Sequence, residues 1–526
     1  MNMKKTTLGK TLFALIFFGL LAVEVYAVVK IIQLNMLPIL YVILIVLLLS
    51  AFSAGIGMLL FRPGKGSGKV RKIVACVLTL LLLCGCVVII TVVSDVLGTL
   101  NATSKEATSE STREIYVLTE NKAQDLQDTV GYTFGYVKSF DESCTQQVLE
   151  ELASQFDTPL ASAGYTNLFS MVNALLNDQI DAMIMNGGYV SILEETEGFL
   201  DFSSRARILA QIRVEEGDQS APLLPEQSVQ WNEPEVQQEN VTEPVQTEPA
   251  EEKTDYTKLK PFIVYVSGSD GHSTMLKSGR SDVNILAAVN PMTKQVLLIN
   301  TPRDYYVRNT AGGGSRDKLT HCGLYGVSCS MNTLGNLYDE TVEYYVQINF
   351  TGFKKLIDAL GGITVYSDYA FTAITRTYIS KGENNLTGQQ ALDFARERYT
   401  LPGGDNERGR HQMQVIEAVI KKATSGTTII SNYSDIMESI EGMFTMNIPA
   451  DMIGDLMKMQ LSDMAQWNIV TYSATGTAAM AECYSLPGMN LSVIKPSDSS
   501  VSKAARLIDM VFAGELLTEE IINSMT

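Results

Sequence analysis

Three long apolar runs fill most of the first hundred residues. Residues 12–29 are apolar apart from Glu24, and neither residues 37–61 nor residues 73–93 include a charged side chain. A helix needs roughly 20 apolar residues to cross the hydrocarbon core of a bilayer, and uncharged runs of this length are rare elsewhere. The pattern therefore predicts a membrane anchor of three transmembrane helices over residues 1–98. A cleaved signal peptide is disfavoured, because the first run lacks a small-residue cleavage site.

Basic residues give the expected orientation of this anchor. Lysine and arginine accumulate on the cytoplasmic side of membrane helices, and here they precede the first run and separate the second run from the third. We therefore expect a multi-pass cell-membrane protein with a cytoplasmic amino terminus and with everything after Asp95 outside the cell. The basic residues are Lys4, Lys5, Lys10, Arg62, Lys65, Lys69, Arg71 and Lys72.

Residues 99–214 show a different pattern, in which short strands and helices alternate. Residues 114–118 and 132–137 read as strands, and residues 146–156 and 167–176 read as helices. Such alternation is typical of a small layered α/β domain. The region weakly resembles one lobe of an extracellular solute-binding protein, so we expect an accessory lobe. A structural spacer or an interaction domain is an equally good interpretation.

An acidic segment over residues 215–257 follows the lobe and is predicted to be an extended linker. Between Glu215 and Lys253 it holds eleven acidic residues against one lysine, and it is rich in proline and glutamine. Such a segment repels itself and cannot bury a core. It accounts for more than half of the formal charge of −18 of the 526-residue chain. The shortage of basic residues also argues against a nucleic-acid partner, since duplex binding needs positive surface.

The pattern after the linker predicts a layered α/β/α domain with a mixed central sheet over residues 258–515, followed by a tail over residues 516–526. Strands of apolar residues alternate with amphipathic helices, as such layered domains require. The predicted strands cover residues 262–267, 283–289, 295–300, 343–349 and 363–366, and the predicted helices cover residues 352–360, 388–398 and 407–424.

Charged residues lie at the ends of these strands, where α/β domains usually carry their sites. Asp270, Arg280, Asp282, Arg303 and Asp304 are all in such positions. Arginine binds phosphate oxygens in a bidentate manner, and two nearby carboxylates suit Mg²⁺, which usually bridges to substrate phosphates. The residues thus fit a diphosphate site with Mg²⁺, and surface ion pairs would give the same pattern at least as readily.

Two further arginines and one helix extend this set. Arg396 and Arg398 are two positions apart and cannot share a helix face, so both serve one site only if the helix frays there or if the ligand is large. Arg408 and Gln412 are four apart on the next helix and do share a face. The chain has only three histidines, which disfavours a site built from several histidine ligands.

Several stretches, in order, resemble the LytR-CpsA-Psr family of cell-wall glycopolymer transferases. They are GSDGHSTMLKSGRSDVNILAAVNPMTKQVLLINTPRDYYV, DKLTHCGLYG, YYVQINFTGFKKLIDALGGITV, LTGQQALDFARERY and GDNERGRHQMQVI. The resemblance implies a membrane-anchored, Mg²⁺-dependent phosphotransferase. Such an enzyme moves an anionic glycopolymer, of teichoic acid or capsular polysaccharide type, from a polyprenyl-diphosphate lipid to peptidoglycan by phosphodiester formation.

The resemblance also implies roles for individual residues. Asp304 would be a catalytic base or an orienting carboxylate, acting with Arg303 and Arg280. One departure is His411, which stands where many members have arginine, and the neighbouring Arg410 is a possible substitute. The metal ligands would be Asp270 and Asp282, and the diphosphate contacts would be Arg280, Arg303, Lys318, Arg396, Arg398, Arg408 and Gln412.

Two other functions and one covalent link complete the expectations. A lipid-diphosphate hydrolase could use the same site with water as the nucleophile. A membrane-anchored envelope sensor or binding protein, with the accessory lobe as receptor, belongs to a different class. Cys322 and Cys329 are close in sequence in a region predicted to be extracellular, where disulfides persist, so they are predicted to form a disulfide.

Overall fold

The computed structural model describes residues 2–61, 68–103, 110–138, 142–156, 160–215, 259–269, 279–425, 436, 439–440 and 442–525. The predicted linker therefore lies outside the described residues, apart from Glu215 at the end of a strand.

Three long helices form the amino-terminal part: α1 (Asn2–Leu34), α2 (Ile39–Phe61) and α3 (Gly68–Thr103). Each contains a segment long and apolar enough to cross a membrane, so the predicted three spans are confirmed by length and composition. Glu24 of α1 is buried between the helices, where it accepts a hydrogen bond from the Ser53 hydroxyl of α2. This carboxyl group therefore has a partner inside the bundle.

The accessory lobe is a five-stranded sheet with helices packed against it. The strand order is β3-β2-β4-β1-β5, in which β2 runs parallel to β3 and β4, and β1 runs antiparallel to β4 and β5. The elements are β1 (Glu110–Leu118), β2 (Thr133–Val137), α4 (Glu142–Phe156), β3 (Ala161–Tyr165), α5 (Leu168–Leu176), β4 (Ala182–Met185), α6 (Val190–Leu193), α7 (Phe202–Arg205) and β5 (Ala206–Glu215).

A mixed six-stranded sheet forms the centre of the carboxyl-terminal domain. The order of strands across the sheet is β16-β11-β6-β7-β8-β17. Two neighbouring pairs are parallel, namely β11 with β6 and β17 with β8. The other three pairs are antiparallel. The mixed sheet that the sequence predicted is therefore confirmed. The strands are β6 (Phe262–Ser269), β7 (Ser281–Asn290), β8 (Gln295–Asn300), β11 (Tyr344–Asn349), β16 (Phe444–Met446) and β17 (Asn468–Ser473).

Helices cover both faces of this sheet because its strands are apolar on both sides. Ile263 and Tyr265 face one buried cluster, which includes residues of α9 (Val327–Tyr338) and α14 (Asp498–Phe512). Phe262 and Val264, which alternate with them, face a second cluster with α12 (Asp405–Thr424) and α13 (Ala450–Asp463). The alternation follows from the two-residue period of a strand, and it gives the three layers.

Smaller elements surround the central layers. The strand over residues 363–367 does not join the central sheet but pairs with β15, and residues 476–496 form a separate hairpin. The remaining elements are β9 (Tyr306–Arg308), β10 (Arg316–Lys318), α8 (Leu319–Cys322), α10 (Phe350–Ala359), β12 (Ile363–Ser367), β13 (Phe371–Thr372), β14 (Tyr378–Ile379), β15 (Gly382–Leu386), α11 (Gly388–Arg396), β18 (Gly476–Cys483), β19 (Leu486–Pro496) and α15 (Glu519–Ser524).

Two sequence predictions fail in this domain. The segment 516–525 is not a tail, because Leu517 and Ile522 are buried in the main core and the Leu517 amide donates to Gln295. The predicted disulfide is also wrong, since Cys322 and Cys329 are both free and buried. The two thiols are neighbours, and each has a further polar contact: Cys329 Sγ lies 3.2 Å from Asn309 Oδ1, and Cys322 Sγ lies 3.6 Å from Thr333 Oγ1.

The carboxyl-terminal domain rests on the end of the membrane anchor. Met36, in the turn between α1 and α2, packs with Met446 and with Val96 near the end of α3. The Lys458 ammonium of α13 donates to Asn35 Oδ1 at 2.6 Å. The turn after α1, the end of α3 and the domain therefore lie at the same end of the bundle.

The accessory lobe also packs directly on this domain. Leu324 and Leu486 belong to the same buried cluster as Tyr189 of the lobe. The Asn186 side chain, at the end of β4, donates to the Leu324 carbonyl at 2.8 Å. The lobe is therefore attached through a shared core as well as through the chain.

Candidate functional site

A cluster of alternating charges lies where β7 begins and β8 ends. The two strands are antiparallel, so Asp282 at the start of β7 comes beside the turn that follows Asn300. Arg303 in this turn donates through Nη1 to Asp282 Oδ1 at 2.7 Å. Its Nε lies 3.9 Å from Asp304 Oδ2, and Lys318 Nζ donates to Asp304 Oδ1 at 3.0 Å. Burial lowers the pKa of Arg303, but the neighbouring carboxylates of Asp282 and Asp304 outweigh this effect and raise it.

Helix α12 supplies the other wall of this cluster. Arg408 and Gln412 share a helix face, as predicted, and line one small pocket together with Asp282 and Arg303. The helix comes very close to β8 at Gly409, where a Cβ atom would lie 2.2 Å from Asn300 Nδ2. Burial lowers the pKa of Arg408, which pairs with Asp405. A guanidinium pKa starts far above neutrality, so we treat Arg408 as a cation in this pocket.

Arg280, by contrast, is bound by the accessory lobe. Its Nη1 and Nη2 donate to Glu195 Oε2 and Oε1 at 2.8 and 2.9 Å. The hydrogen bond from Arg280 is the main reason why the pKa of Glu195 is lowered, and Arg303 and Lys318 add to the effect. Glu195 is thus a member of the charged site that sequence reasoning missed, because it comes from the lobe, 85 positions before Arg280.

Arg396 and Arg398 lie at the end of α11, which stops at Arg396. The helix predicted over residues 388–398 is therefore two residues too long, and Arg398 lies beyond its end. The Arg396 guanidinium sits 4.4 Å from the Phe350 ring centroid and lines a second pocket together with Gln412. Arg398 stacks on Tyr399 and is close enough to Arg408 to affect its pKa. Gln412 therefore borders both the pocket of Arg303 and the pocket of Arg396.

His411 and Arg410 both point away from this site. His411 is buried between aromatic rings, 3.9 Å from the Phe394 centroid, and its Nδ1 donates to the Phe394 carbonyl at 3.0 Å. Burial lowers the pKa of His411 to about 4, so it is neutral near pH 7. Arg410 pairs with Asp368 and Glu407 instead. Neither residue adds a cation to the pocket.

The predicted metal ligands are only partly within the described residues. Asp270 lies outside them, so the pair of Asp270 and Asp282 is not seen together. Within the described residues, no group of three or more histidine, cysteine, aspartate or glutamate side chains could hold a metal. Mg²⁺ often uses one or two carboxylates plus substrate phosphates. Asp282, which is 17 % exposed at the pocket, fits that kind of partial site.

An apolar cavity of about 550 Å³ lies between the central sheet and α12 and α13. Val264, Val415 and Ile453 are among its lining residues, and it shares Val266 and Val415 with the pocket of Arg396. Ile453 also packs against the group of residues that meets the membrane anchor. The cavity therefore extends between the charged site and the end of the anchor.

A model of the LytR_cpsA_psr family matches residues 228–497. The chain belongs to the LytR-CpsA-Psr family. One relative, a polyisoprenyl-teichoic acid–peptidoglycan teichoic acid transferase TagU of Bacillus cereus, is 34 % identical over 208 residues, which are 39 % of this chain and 67 % of the relative. A TagU of Enterococcus faecalis is 37 % identical over 201 residues, or 38 % of this chain and 64 % of the relative.

Solved structures of similar proteins cover about half of the chain. B. subtilis TagV is 26 % identical, with a TM-score of 0.41 over 49 % of this chain and 99 % of TagV. A TagT structure described as bound to LI-WTA is 24 % identical, with a TM-score of 0.40 over 50 % of this chain and 94 % of TagT. The matched part of this LytR-CpsA-Psr protein begins after the accessory lobe, so the contact between Glu195 and Arg280 brings in a residue from outside the family match.

Proposed function

We propose that this protein transfers a teichoic-acid-type glycopolymer from a polyprenyl-diphosphate lipid to peptidoglycan. The observation that carries the proposal is the arrangement of Arg303, Lys318 and Arg408 at one end and the apolar cavity of about 550 Å³ at the other. A lipid diphosphate has the matching shape, with a charged head and a long apolar tail. The named activity of the TagU relatives supports the same substrate class.

The contact with the membrane anchor supports a lipid-linked donor. Ile448, Ile453 and Met457 line the apolar cavity and also pack with the residues that meet Met36 and Val96. A lipid tail could therefore pass from the bilayer into the cavity with little exposure to water. Exposure of apolar surface costs about 25 cal/mol per Å², so a short protected path favours extraction of the tail. We infer that the domain lies outside the cell, where peptidoglycan is found.

The proposed reaction is a phosphoryl transfer. A sugar hydroxyl of peptidoglycan attacks the phosphorus next to the glycopolymer, a new phosphorus–oxygen bond forms, and polyprenyl phosphate leaves with the electrons of the broken bond. Such reactions depend on positioning and on neutralising charge. Arg303, Arg408 and Arg280 would bind the phosphate oxygens, with Lys318, Arg396, Arg398 and Gln412 as further contacts.

Carboxylates would complete this site. Asp304, already bound by Lys318 at 3.0 Å, would orient the attacking hydroxyl and accept its proton. Asp282, together with Asp270, would hold Mg²⁺ when it is bound, and the metal would neutralise charge on the diphosphate. The Arg303 guanidinium donates a hydrogen bond to the Asp282 carboxylate. Asp282 would thus either keep this arginine in place or bind the cation.

The test is a transfer assay with the full chain in detergent or nanodiscs. Lipid-diphosphate glycan and a muropeptide acceptor are incubated with the protein, and products are identified by mass spectrometry. Transfer gives a phosphodiester-linked muropeptide, whereas a hydrolase gives a released glycan phosphate and a binding protein gives neither. Only the first product supports the proposal.

Two variants of α12 provide a matched comparison. Arg408→Ala removes a cation that lines the pocket, and it should reduce transfer at least about tenfold, as the loss of one charge-assisted contact predicts. Arg410→Ala removes an arginine two positions along the same helix that faces Asp368, and it should leave transfer close to wild type. Equal effects of both variants would contradict the assignment of the pocket.

A further inference from the structure

Glu195 joins the accessory lobe to the charged site. It lies in the turn region between α6 and α7, and its carboxylate binds both terminal nitrogens of Arg280. Within the part of the chain that the structure describes, Arg280 is the only hydrogen-bond partner of this carboxylate. The contact is therefore a bidentate ion pair of the kind that arginine also makes with phosphate.

The position of Glu195 is that of an anion in the proposed diphosphate site. Arg280, Arg303 and Lys318 all act on its charge. Arg303 and Lys318 have carboxylate partners within the family domain, namely Asp282 and Asp304. Arg280 alone among these three cations is paired with a carboxylate from the lobe.

The two partners of this ion pair differ in how freely they can move. The Arg280 side chain is only 7 % exposed, whereas the Glu195 side chain is 62 % exposed. A loop carboxylate that faces water can swing away into solvent, provided that another anion then pairs with the buried guanidinium of Arg280. The arginine would remain in place and present both terminal nitrogens to a new anion. The geometry thus favours exchange of the carboxylate over movement of the arginine.

The rest of the lobe is held firmly enough for such a local exchange. Gly188 lies so close to the family domain that a Cβ atom would be 2.9 Å from the Gly279 Cα atom. The Tyr189 hydroxyl is 3.2 Å from that of Tyr325. These contacts fix the lobe beside the site, so displacement of Glu195 needs no separation of the lobe from the domain.

We propose that Glu195 is a specificity-determining residue that competes with the diphosphate for Arg280, so that only an anion able to displace it gains the full site. The proposal rests on the proposed function, because it assumes that Arg280 binds the donor phosphates. It also gives the accessory lobe a part in the site, beyond the solute-binding or spacer roles considered for it. Weakly bound anions would be excluded, and a bidentate diphosphate would replace the carboxylate.

The experiment measures binding of inorganic pyrophosphate, with and without Mg²⁺, to the full chain by calorimetry. Glu195→Gln removes the competing charge and should lower the dissociation constant for pyrophosphate about tenfold. This factor corresponds to a wild-type protein in which Glu195 holds Arg280 in roughly nine molecules of ten, since only the remaining tenth can then bind the anion. Glu195→Ala is an independent second variant and should act in the same direction. Glu197→Gln is the matched control, because it removes an exposed carboxylate from the same turn region, and it should leave the constant unchanged.

The outcomes separate this proposal from the proposed function. Weaker binding in Glu195→Gln and Glu195→Ala would mean that the carboxylate positions Arg280, and unchanged binding would mean that it does not compete; either result overturns the proposal. An affinity gain cannot result from a damaged fold. Arg303→Ala is measured alongside: if it binds pyrophosphate as well as wild type, the diphosphate site itself is wrong, whatever Glu195 does.

Discussion

Replacing Arg303 with alanine should weaken pyrophosphate binding by roughly ten- to hundredfold. The Arg303 guanidinium lines the pocket and is 16 % exposed, and it makes one charge-assisted hydrogen bond, to Asp282 at 2.7 Å. An equivalent bond to a phosphate oxygen is worth about 1.5–3 kcal/mol. Each 1.4 kcal/mol is a factor of ten in the dissociation constant, which gives the expected range.

The same substitution should also cost stability, and the two effects can be separated. Removal of Arg303 leaves the largely buried Asp282 carboxylate without this partner, at a cost of about 1–3 kcal/mol. Adding Asp282→Asn removes the unpaired charge and should restore part of the melting temperature. It should not restore binding, because the arginine is still missing. The double-variant cycle therefore distinguishes a binding role from a packing role.

The assays are calorimetry with pyrophosphate and thermal melting, both on the full chain. Arg316→Ala serves as a control, because this exposed arginine packs over Tyr306. It should change the dissociation constant less than about twofold, as expected for a surface charge. If Arg303→Ala lowered only the melting temperature, or if the double variant recovered wild-type binding, the reasoning about phosphate contacts would be refuted.

Three further predictions concern other parts of the chain. Burial lowers the pKa of His411 from 6.5 in the unfolded chain to about 4 in the fold. Between these two pH values only the unfolded state binds the proton. The free energy of unfolding should therefore fall as the pH drops from 6.5 to 4, by up to about 3 kcal/mol. In urea titrations across this range, His411→Phe should flatten that part of the pH dependence. Gly454→Leu should separate α13 from the anchor, because even a Cβ atom there would lie 2.7 Å from the Asn35 carbonyl oxygen. Cross-linking between cysteines introduced as Asn35→Cys and Lys458→Cys, whose native side chains are 2.6 Å apart, should then be lost. Alkylation in denaturant without reductant should modify Cys322 and Cys329, and mass spectrometry should find all seven cysteines labelled.

The strands of the central sheet could be predicted from the sequence because each one is indicated by the apolar pattern of its own few residues. The strand over residues 295–300, with four consecutive apolar residues at its centre, has the same bounds in the prediction and in the structure. The common face of Arg408 and Gln412 likewise follows from helix periodicity alone. The sequence also predicts a helix over residues 388–398, and α11 ends only two residues earlier, at Arg396. Each of these features depends on residues only a few positions apart.

The features that escaped prediction depend on residues far apart in the chain. Nothing near Arg280 in the sequence indicates that its partner is Glu195, which lies in a turn of the accessory lobe. Leu517 is buried in the main core. It lies in a short segment after a turn at Gly514, and the sequence of that segment alone does not indicate that it packs there. The apolar cavity is also a tertiary feature. Val264 and Val415 line it, but the sequence around them would be the same if they belonged to a fully packed core.

The contact between the domain and the anchor has a practical consequence for handling the protein. Met446, Ile453 and Met457 pack in a cluster with Met36 and Val96. A fragment that begins after α3 lacks both of the latter residues, and its sulfur-rich apolar surface would face water. Such a surface promotes self-association, so a truncated ectodomain should form oligomers through it. Detergent or a polar substitution at Met457 would then be needed to keep the fragment monomeric.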